Sequence, residues 1–162
     1  MTFQHVWGGA NAPDIHSAIS QWVSLHSFGH PGNVWDSATS YGVLKDGKPI
    51  AGVVYHDYKP SCGTIQYSGA SINRAWLQGP TLHNMFSYMF DIAGCQTVLT
   101  GNAESNTGLH GILERLDHKK HIIESAWGEG QDLYLWTLTR ERWLANRLMQ
   151  RSRRRAEEIE NV

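Results

Sequence analysis

The chain of 162 residues fits one domain that is large enough to bury a core of its own. Its 41% apolar and 18% charged residues are ordinary for a soluble globular protein. No apolar run approaches the length of a membrane span, and the first residues lack the features of a secretory signal, so we expect a cytoplasmic protein with no membrane partner. Cys62 and Cys95 have no C-x-x-C spacing, which argues against a disulfide framework and a zinc ribbon.

The formal net charge of −1 hides an uneven distribution. Half of the fourteen basic residues are arginines that follow Leu138, namely Arg140, Arg142, Arg147, Arg151, Arg153, Arg154 and Arg155. We therefore divide the chain into a domain over residues 1–143 and an Arg/Glu-rich helical tail over residues 144–162. The tail offers only a thin apolar stripe, so on its own this helix is expected to fray or project.

The first part of the chain predicts a strand, a helix and a hairpin. Residues 2–7 alternate loosely like a strand, and Asn11-Ala12-Pro13-Asp14 is typical of a helix start. Residues 27–37 are rich in Gly, Pro, Ser and Asn and predict a loop. Two apolar runs within residues 41–55 flank Asp46-Gly47, a dipeptide that suits the positive backbone dihedrals of a type I′ hairpin turn.

The centre and the end of the chain alternate strands with helices. The predicted elements are a strand over 64–72, a loop over 73–80, a helix over 82–93 that Gly94 ends, a strand over 95–100, a helix after Asn106, and strands over 121–125 and 132–138. Together they predict an α/β fold with a mixed, mostly antiparallel twisted sheet flanked by helices, and a charged C-terminal helix.

This order of elements resembles the acyl-CoA-binding half of the GNAT (GCN5-related) N-acyltransferases, and more closely the divergent GNAT-like proteins encoded by tailed phages. The resemblance covers roughly Ser40 to Trp143. It is carried by Val53-Val54-Tyr55-His56-Asp57-Tyr58 before the central strand, Arg74-Ala75-Trp76 at the start of the loop, and Ser105-Asn106 after the next strand.

The resemblance implies acetyl-CoA as the cofactor, bound largely through backbone groups. The pantetheine arm would pair with a bulged strand edge formed by Tyr67, Ser68, Gly69 and Ala70. The pyrophosphate would lie at the following helix N-terminus, held by Leu77, Gln78, Gly79 and Thr81. Asn106 would either contact the pantetheine or cap its own helix.

The chain departs from the family's pattern at two places. The segment Arg74-Ala75-Trp76-Leu77-Gln78-Gly79 supplies one glycine where the family's phosphate loop has two small positions. Many members also carry a Tyr that serves as general acid to the leaving thiolate, and Leu113 stands at that position. Because Leu113 cannot donate a proton, the acid role has to pass to another group.

His56, Asp57 and Tyr58 form the best remaining ionisable cluster, at the end of the third strand. They could act as the base or bind the substrate amine, and the alternative is a polar strand end before a turn. Glu104 and His110 are weaker candidates beside a helix start. No metal is expected, since the possible pair of His118 and His121 lacks an acidic partner at matching spacing.

Two functions of different class remain open. The first is a phage-associated, acyl-CoA-dependent N-acyltransferase that acts in the host cytoplasm on a small-molecule or protein amine. The second is a non-catalytic component of a phage particle, for example at the head-to-tail connection, where Trp-bearing loops and the Arg-rich tail would bind other phage structural proteins. A nucleobase-modifying acyltransferase, to which the tail would bring DNA, is a further alternative.

Overall fold

The computed structural model describes residues 2–32, 35–36 and 38–162. Its centre is a seven-stranded sheet with the strand order β1-β2-β3-β4-β5-β7-β6, in which the β4–β5 pair is parallel and the other pairs are antiparallel. The strands are β1 (Phe3–Gly8), β2 (Thr39–Lys45), β3 (Lys48–Lys59), β4 (Thr64–Ser71), β5 (Thr97–Ala103), β6 (Lys119–Ile123) and β7 (Leu133–Thr139). The mixed, mostly antiparallel sheet predicted from the sequence is therefore confirmed.

The predicted hairpin is present as β2 and β3. Asp46 and Gly47 have φ angles of 50° and 77°, as the type I′ turn requires. This turn sets the register of the two strands, so that Tyr41 lies opposite Val53. The hairpin thus positions the β3 edge against which β4 pairs.

The helices cover both faces of the sheet. They are α1 (Pro13–Phe28), α2 (Thr81–Ser87), α3 (Thr107–Arg115), α4 (Arg140–Ala145) and α5 (Arg147–Glu160). A 3₁₀ turn over Arg74–Leu77 precedes α2, and α2 continues as a π-helical turn over Tyr88–Ile92. The loop predicted over 27–37 falls partly on residues 33, 34 and 37, outside the described residues, and α1 extends two residues into it. No helix in the described part of the chain is long and apolar enough to cross a membrane.

Two apolar clusters hold the layers together. The smaller one packs α1 on the sheet through Ile19, Val23 and Val54. The larger one lies on the opposite face and includes Phe90 and Trp143, whose rings stack with centroids 4.9 Å apart. The C-terminal part of the chain therefore contributes to the main core.

The charged tail does not project. The chain breaks its helix at Asn146, whose side chain accepts a hydrogen bond from Met149 N at 3.0 Å and caps α5. The helix α5 packs on α2 and buries Met149, Ser152 and Ala156. Two apolar side chains and one serine thus suffice to dock this helix, while the division of the chain at residue 143/144 stays a prediction.

Candidate active site

The parallel strands β4 and β5 separate part-way along their length. They pair only from Thr64 opposite Thr97 to Gln66 opposite Leu99. Beyond that point β4 pairs with β3 alone and β5 with β7 alone. The two facing strand edges therefore leave backbone N–H and C=O groups unpaired by sheet hydrogen bonds, and they open a cleft of about 710 Å³.

The sequence-predicted cofactor residues divide between two places. Those that line the cleft between the strands are Tyr67, Ser68, Gly69, Ala70, Thr81 and Asn106. Leu77, Gln78 and Gly79 line a second cleft, between the N-terminus of α2, α3 and α5. Asn106 precedes α3 without a side-chain capping hydrogen bond, so its amide is available to the first cleft.

The predicted bulge in β4 is wrong. The strand pairs with β3 in an unbroken register from Ser71 opposite Ala51 to Gln66 opposite His56. The irregularity lies in β3 after His56, where Asp57 has a φ of 51°. An extra residue in one strand of an antiparallel pair turns its neighbour's side chain, and here it brings the Asp57 carboxylate back to the ring of His56.

His56, Asp57 and Ser68 form a hydrogen-bonded chain that ends at the cleft. His56 Nδ1 lies 2.6 Å from Asp57 Oδ2, and His56 Nε2 lies 2.8 Å from Ser68 Oγ. Because the carboxylate only accepts, we assign the proton to Nδ1, and Nε2 then accepts from the Ser68 hydroxyl. The imidazole is mostly buried and stacks on Trp35 with centroids 5.6 Å apart. Its orientation is therefore fixed from three sides.

The structure places the other candidate acid–base residues elsewhere. The hydroxyl of Tyr58 donates to the carbonyl of Ala93 at 2.9 Å and does not join His56 and Asp57. Glu104 accepts from the Tyr134 hydroxyl at 3.3 Å. Their catalytic roles stay predictions. Ser68, which the sequence associated with the cofactor only, is the residue that the structure adds to the cluster.

The position of the family's Tyr is occupied by a buried Leu113 that lines the cleft. The nearest phenol along β4 is Tyr67, whose hydroxyl lies 2.6 Å from His118 Nε2. Burial raises the pKa of Tyr67 and lowers the pKa of His118 to about 4, although the backbone at Leu113 and Leu116 opposes the second shift. Both groups therefore remain neutral at neutral pH, and the hydrogen bond between them belongs to the core.

His118 makes stability depend on pH in acid. The folded state binds its proton only near pH 4, whereas the unfolded chain binds it below an ordinary pKa of 6.5. The free energy of unfolding should therefore fall by about 3 kcal/mol between pH 6.5 and pH 4 on account of this group. Urea unfolding of the wild type and of His118→Gln across that range measures the effect, and an identical pH dependence in the two proteins would contradict it.

The second cleft is basic. Its volume is about 390 Å³, and Arg115 of α3 faces it together with Arg151 and Arg155 of α5. Among the described residues, Arg155 also forms an exposed salt bridge with Glu158, in which Nη1 lies 2.9 Å from Oε2. Three guanidinium groups beside Gln78 and Gly79 suit a phosphate or diphosphate group.

The N-terminus of α2 is already partly satisfied by the protein itself. The amide N–H of His83 donates to Ser152 Oγ at 2.9 Å, and that hydroxyl donates to the carbonyl of Gly79 at 2.9 Å. The N–H of Thr81 also has an acceptor, the carbonyl of Gln78 at 3.5 Å. Fewer backbone donors are free here than the sequence predicted, so an anion would depend on the arginine side chains.

Aromatic rings line the other mouth of the first cleft. Phe28 lies 6.1 Å from Trp35 and 6.3 Å from Trp127, measured between ring centroids. Phe28 and Trp127 face the cleft itself. Trp76, which the sequence placed in a loop, lies in the 3₁₀ turn and is buried. Within the described residues no group of three or more His, Cys, Asp or Glu side chains could hold a metal ion.

Three solved N-acetyltransferases share this architecture. A spermidine N-acetyltransferase from Vibrio cholerae, in complex with CoA and spermine, matches with a TM-score of 0.65 and 12% identity, over 88% of this chain and 98% of that one. A GCN5-related N-acetyltransferase from Brucella melitensis matches with a TM-score of 0.62 and 17% identity, over 93% of this chain and 80% of that one. An N-acetyltransferase from Staphylococcus aureus Mu50 matches with a TM-score of 0.58 and 11% identity, over 86% of this chain and 99% of that one.

The likeness lies in the fold and not in the sequence. With two further solved structures the match is shorter, and the chain spans only 64% and 63% of their length. No protein-family model matches the chain, and no curated protein matches it either. At such low identities a shared structure defines architecture alone. The chain has the fold of the GCN5-related N-acetyltransferases.

Proposed function

We propose that this protein is an acyl-CoA-dependent N-acyltransferase. The observation that carries the proposal is the cleft between β4 and β5, where the two strands separate and their facing edges lack a partner strand; on the β4 edge, the carbonyl of Gly69 accepts a hydrogen bond from Ser27 Oγ at 3.4 Å. An extended amide chain such as pantetheine can pair with such an edge as an added strand would. The cleft is long enough to run from the aromatic rings at Phe28 to the N-terminus of α2.

The acyl group lies near Ser68, at the point where the strands separate. The acceptor amine enters from the aromatic side, past Phe28 and Trp127. These rings attract an ammonium group through their faces and exclude water from the reacting atoms. His56, oriented by Asp57, takes the proton that the attacking nitrogen loses, with Ser68 between the imidazole and the cleft.

The phosphates of the cofactor bind in the basic second cleft. Ile112 and Leu116 line both clefts, and Gln78 and Gly79 line the second one beside Arg151 and Arg155. These side chains take over a role that the short and partly satisfied N-terminus of α2 cannot fill alone. The Arg-rich tail is, on this proposal, part of the cofactor site.

The substitution Arg151→Gln should raise the dissociation constant of acetyl-CoA by about tenfold, because one charge-assisted hydrogen bond to phosphate is lost. The substitution Arg154→Gln removes the same charge from a residue of α5 outside the basic cleft and serves as the matched control. Calorimetry at two salt concentrations measures both, since the effect of Arg151 should shrink as salt rises. Equal weakening by the two substitutions would point to a general charge effect and against a phosphate site.

A thiol-release assay tests the proposed function. The full chain is incubated with acetyl-CoA and a panel of polyamines, aminoglycosides, amino acids and peptides, and free CoA thiol is measured with a chromogenic disulfide. At least one amine should accelerate thiol release and appear in acetylated form by mass spectrometry. Absence of binding and of release with every amine would contradict the proposal.

A second candidate is a non-catalytic use of the fold, for example within a phage particle. It is favoured by Ser152, which occupies an N–H group that a cofactor phosphate could use, and by Leu113, which cannot donate a proton. Partner proteins would then contact the exposed arginines of α5. The double substitution Arg147→Glu and Arg154→Glu, at two exposed positions of α5 that leave its buried face intact, should abolish assembly if this candidate is correct, and normal assembly would exclude that role for the tail.

A further inference from the structure

Ser68, His56 and Asp57 have the mutual arrangement of a nucleophile, its base and the group that orients the base. The hydroxyl lies 2.8 Å from Nε2, and the carboxylate lies 2.6 Å from Nδ1 on the far side of the same ring. Ser68 faces the cleft, while the imidazole is mostly buried behind it. Such a constellation is recognised by geometry and roles, whatever the fold that carries it.

The position of Ser68 agrees with this arrangement. The residue comes two positions after Gln66, where the β4–β5 pairing ends. A thioester carbonyl held at this point would meet both the hydroxyl and the unpaired N–H groups of the open strand edges. Those N–H groups can stabilise the negative oxygen that forms when a nucleophile adds to a carbonyl.

We infer that Ser68 accepts the acyl group from the thioester as a covalent ester before an amine or water removes it. This inference rests on the proposed function, because it requires an acyl-CoA thioester in the β4–β5 cleft. It also supplies the proton donor that Leu113 cannot be, since the imidazole that receives the serine proton can return it to the leaving sulfur.

The chemistry has two halves. In the first, Ser68 Oγ bonds to the thioester carbonyl carbon while its proton passes to His56 Nε2, the C–S bond breaks, and His56 gives that proton to the sulfur to form CoA thiol. In the second, an amine or water attacks the ester carbon, His56 takes the proton of the attacking group, and the C–O bond breaks as Ser68 Oγ regains a proton. The products are an amide or a carboxylic acid, and the side chains return to their starting state.

The experiment is an acid-quenched reaction of the full chain with acetyl-CoA and no amine, followed by intact-mass measurement and peptide mapping. We expect a mass gain of one acetyl group on the peptide that contains Ser68, together with a burst of free CoA thiol. Hydroxylamine should remove the group. Ser68→Ala should lose the adduct, whereas Ser61→Ala, which changes an exposed serine in the turn before β4, should keep it.

Two further measurements keep the result interpretable. Calorimetry with CoA shows whether Ser68→Ala still folds and binds, and Ser68→Cys should trap the acyl group as a thioester. Amine acetylation by Ser68→Ala at the wild-type rate, or bound acetyl-CoA with no adduct in the wild type, would overturn the serine ester and leave the proposed function in place. Absence of CoA binding to the wild type would overturn both.

Discussion

Replacement of Gly108 by Trp should abolish acetyl-CoA binding. Gly108 lies in the first turn of α3 and faces the β4–β5 cleft, and a Cβ at this position would meet no heavy atom within 4 Å. An indole can therefore enter the cleft without disturbing the core, and it would occupy the volume that pantetheine needs. We expect the dissociation constant of acetyl-CoA to rise by about 100-fold or more, as measured by calorimetry, because the indole and pantetheine cannot occupy the same volume.

Gly111 offers a matched control for this experiment. It belongs to the same helix and also has open space where a Cβ would stand, but it lies outside the cleft. Gly111→Trp should bind acetyl-CoA as the wild type does. Unchanged binding by Gly108→Trp, with a circular dichroism spectrum like that of the wild type, would place the cofactor somewhere other than the β4–β5 cleft.

The substitution His56→Ala should lower kcat by about 10²-fold to 10⁴-fold, since it removes the group that receives the proton. The dissociation constant of acetyl-CoA should change little, because the imidazole lies behind Ser68 and not in the cleft. Asp57→Asn should cause a loss of similar size, because the ring would keep its place but an amide that donates to Nδ1 would hold the imidazole in the wrong tautomer. Steady-state kinetics with the best amine acceptor, together with calorimetry, measures these effects.

His121→Ala is the control for this series. His121 is a partly buried histidine on β6 whose Nε2 bonds the Thr137 hydroxyl at 3.1 Å, away from the proposed reacting atoms. It should leave kcat close to the wild-type value. A loss of turnover in His121→Ala as large as that in His56→Ala would show that the effect is structural and not due to proton transfer.

Much of the sheet could be predicted because its signals are local. The Asp46-Gly47 dipeptide determines its own turn, and the alternation of residues on either side determines which side chains face the core. The order of the central strands and helices follows from similar short patterns. These elements place β4 next to β5, which is the pairing that opens the cleft.

The residues that complete the site could not be predicted, since they depend on long-range packing. Ser68 and His56 belong to different strands and meet only through the β3–β4 register and the irregularity at Asp57. The tail is too polar for its sequence to predict docking. In the structure, however, the Ser152 hydroxyl makes two hydrogen bonds at the N-terminus of α2. A polar residue that satisfies buried backbone groups gives no hydrophobic signal in the sequence.

A crystal structure of the full chain with CoA would show whether the β4–β5 cleft is the cofactor site. We expect pantetheine density along the free edge of β4 beside Ser68 and Ala70, with the phosphates within hydrogen-bond distance of Arg151 or Arg155. An empty β4–β5 cleft at saturating CoA, or CoA bound elsewhere, would contradict the proposed cofactor site and favour a non-catalytic use of this fold.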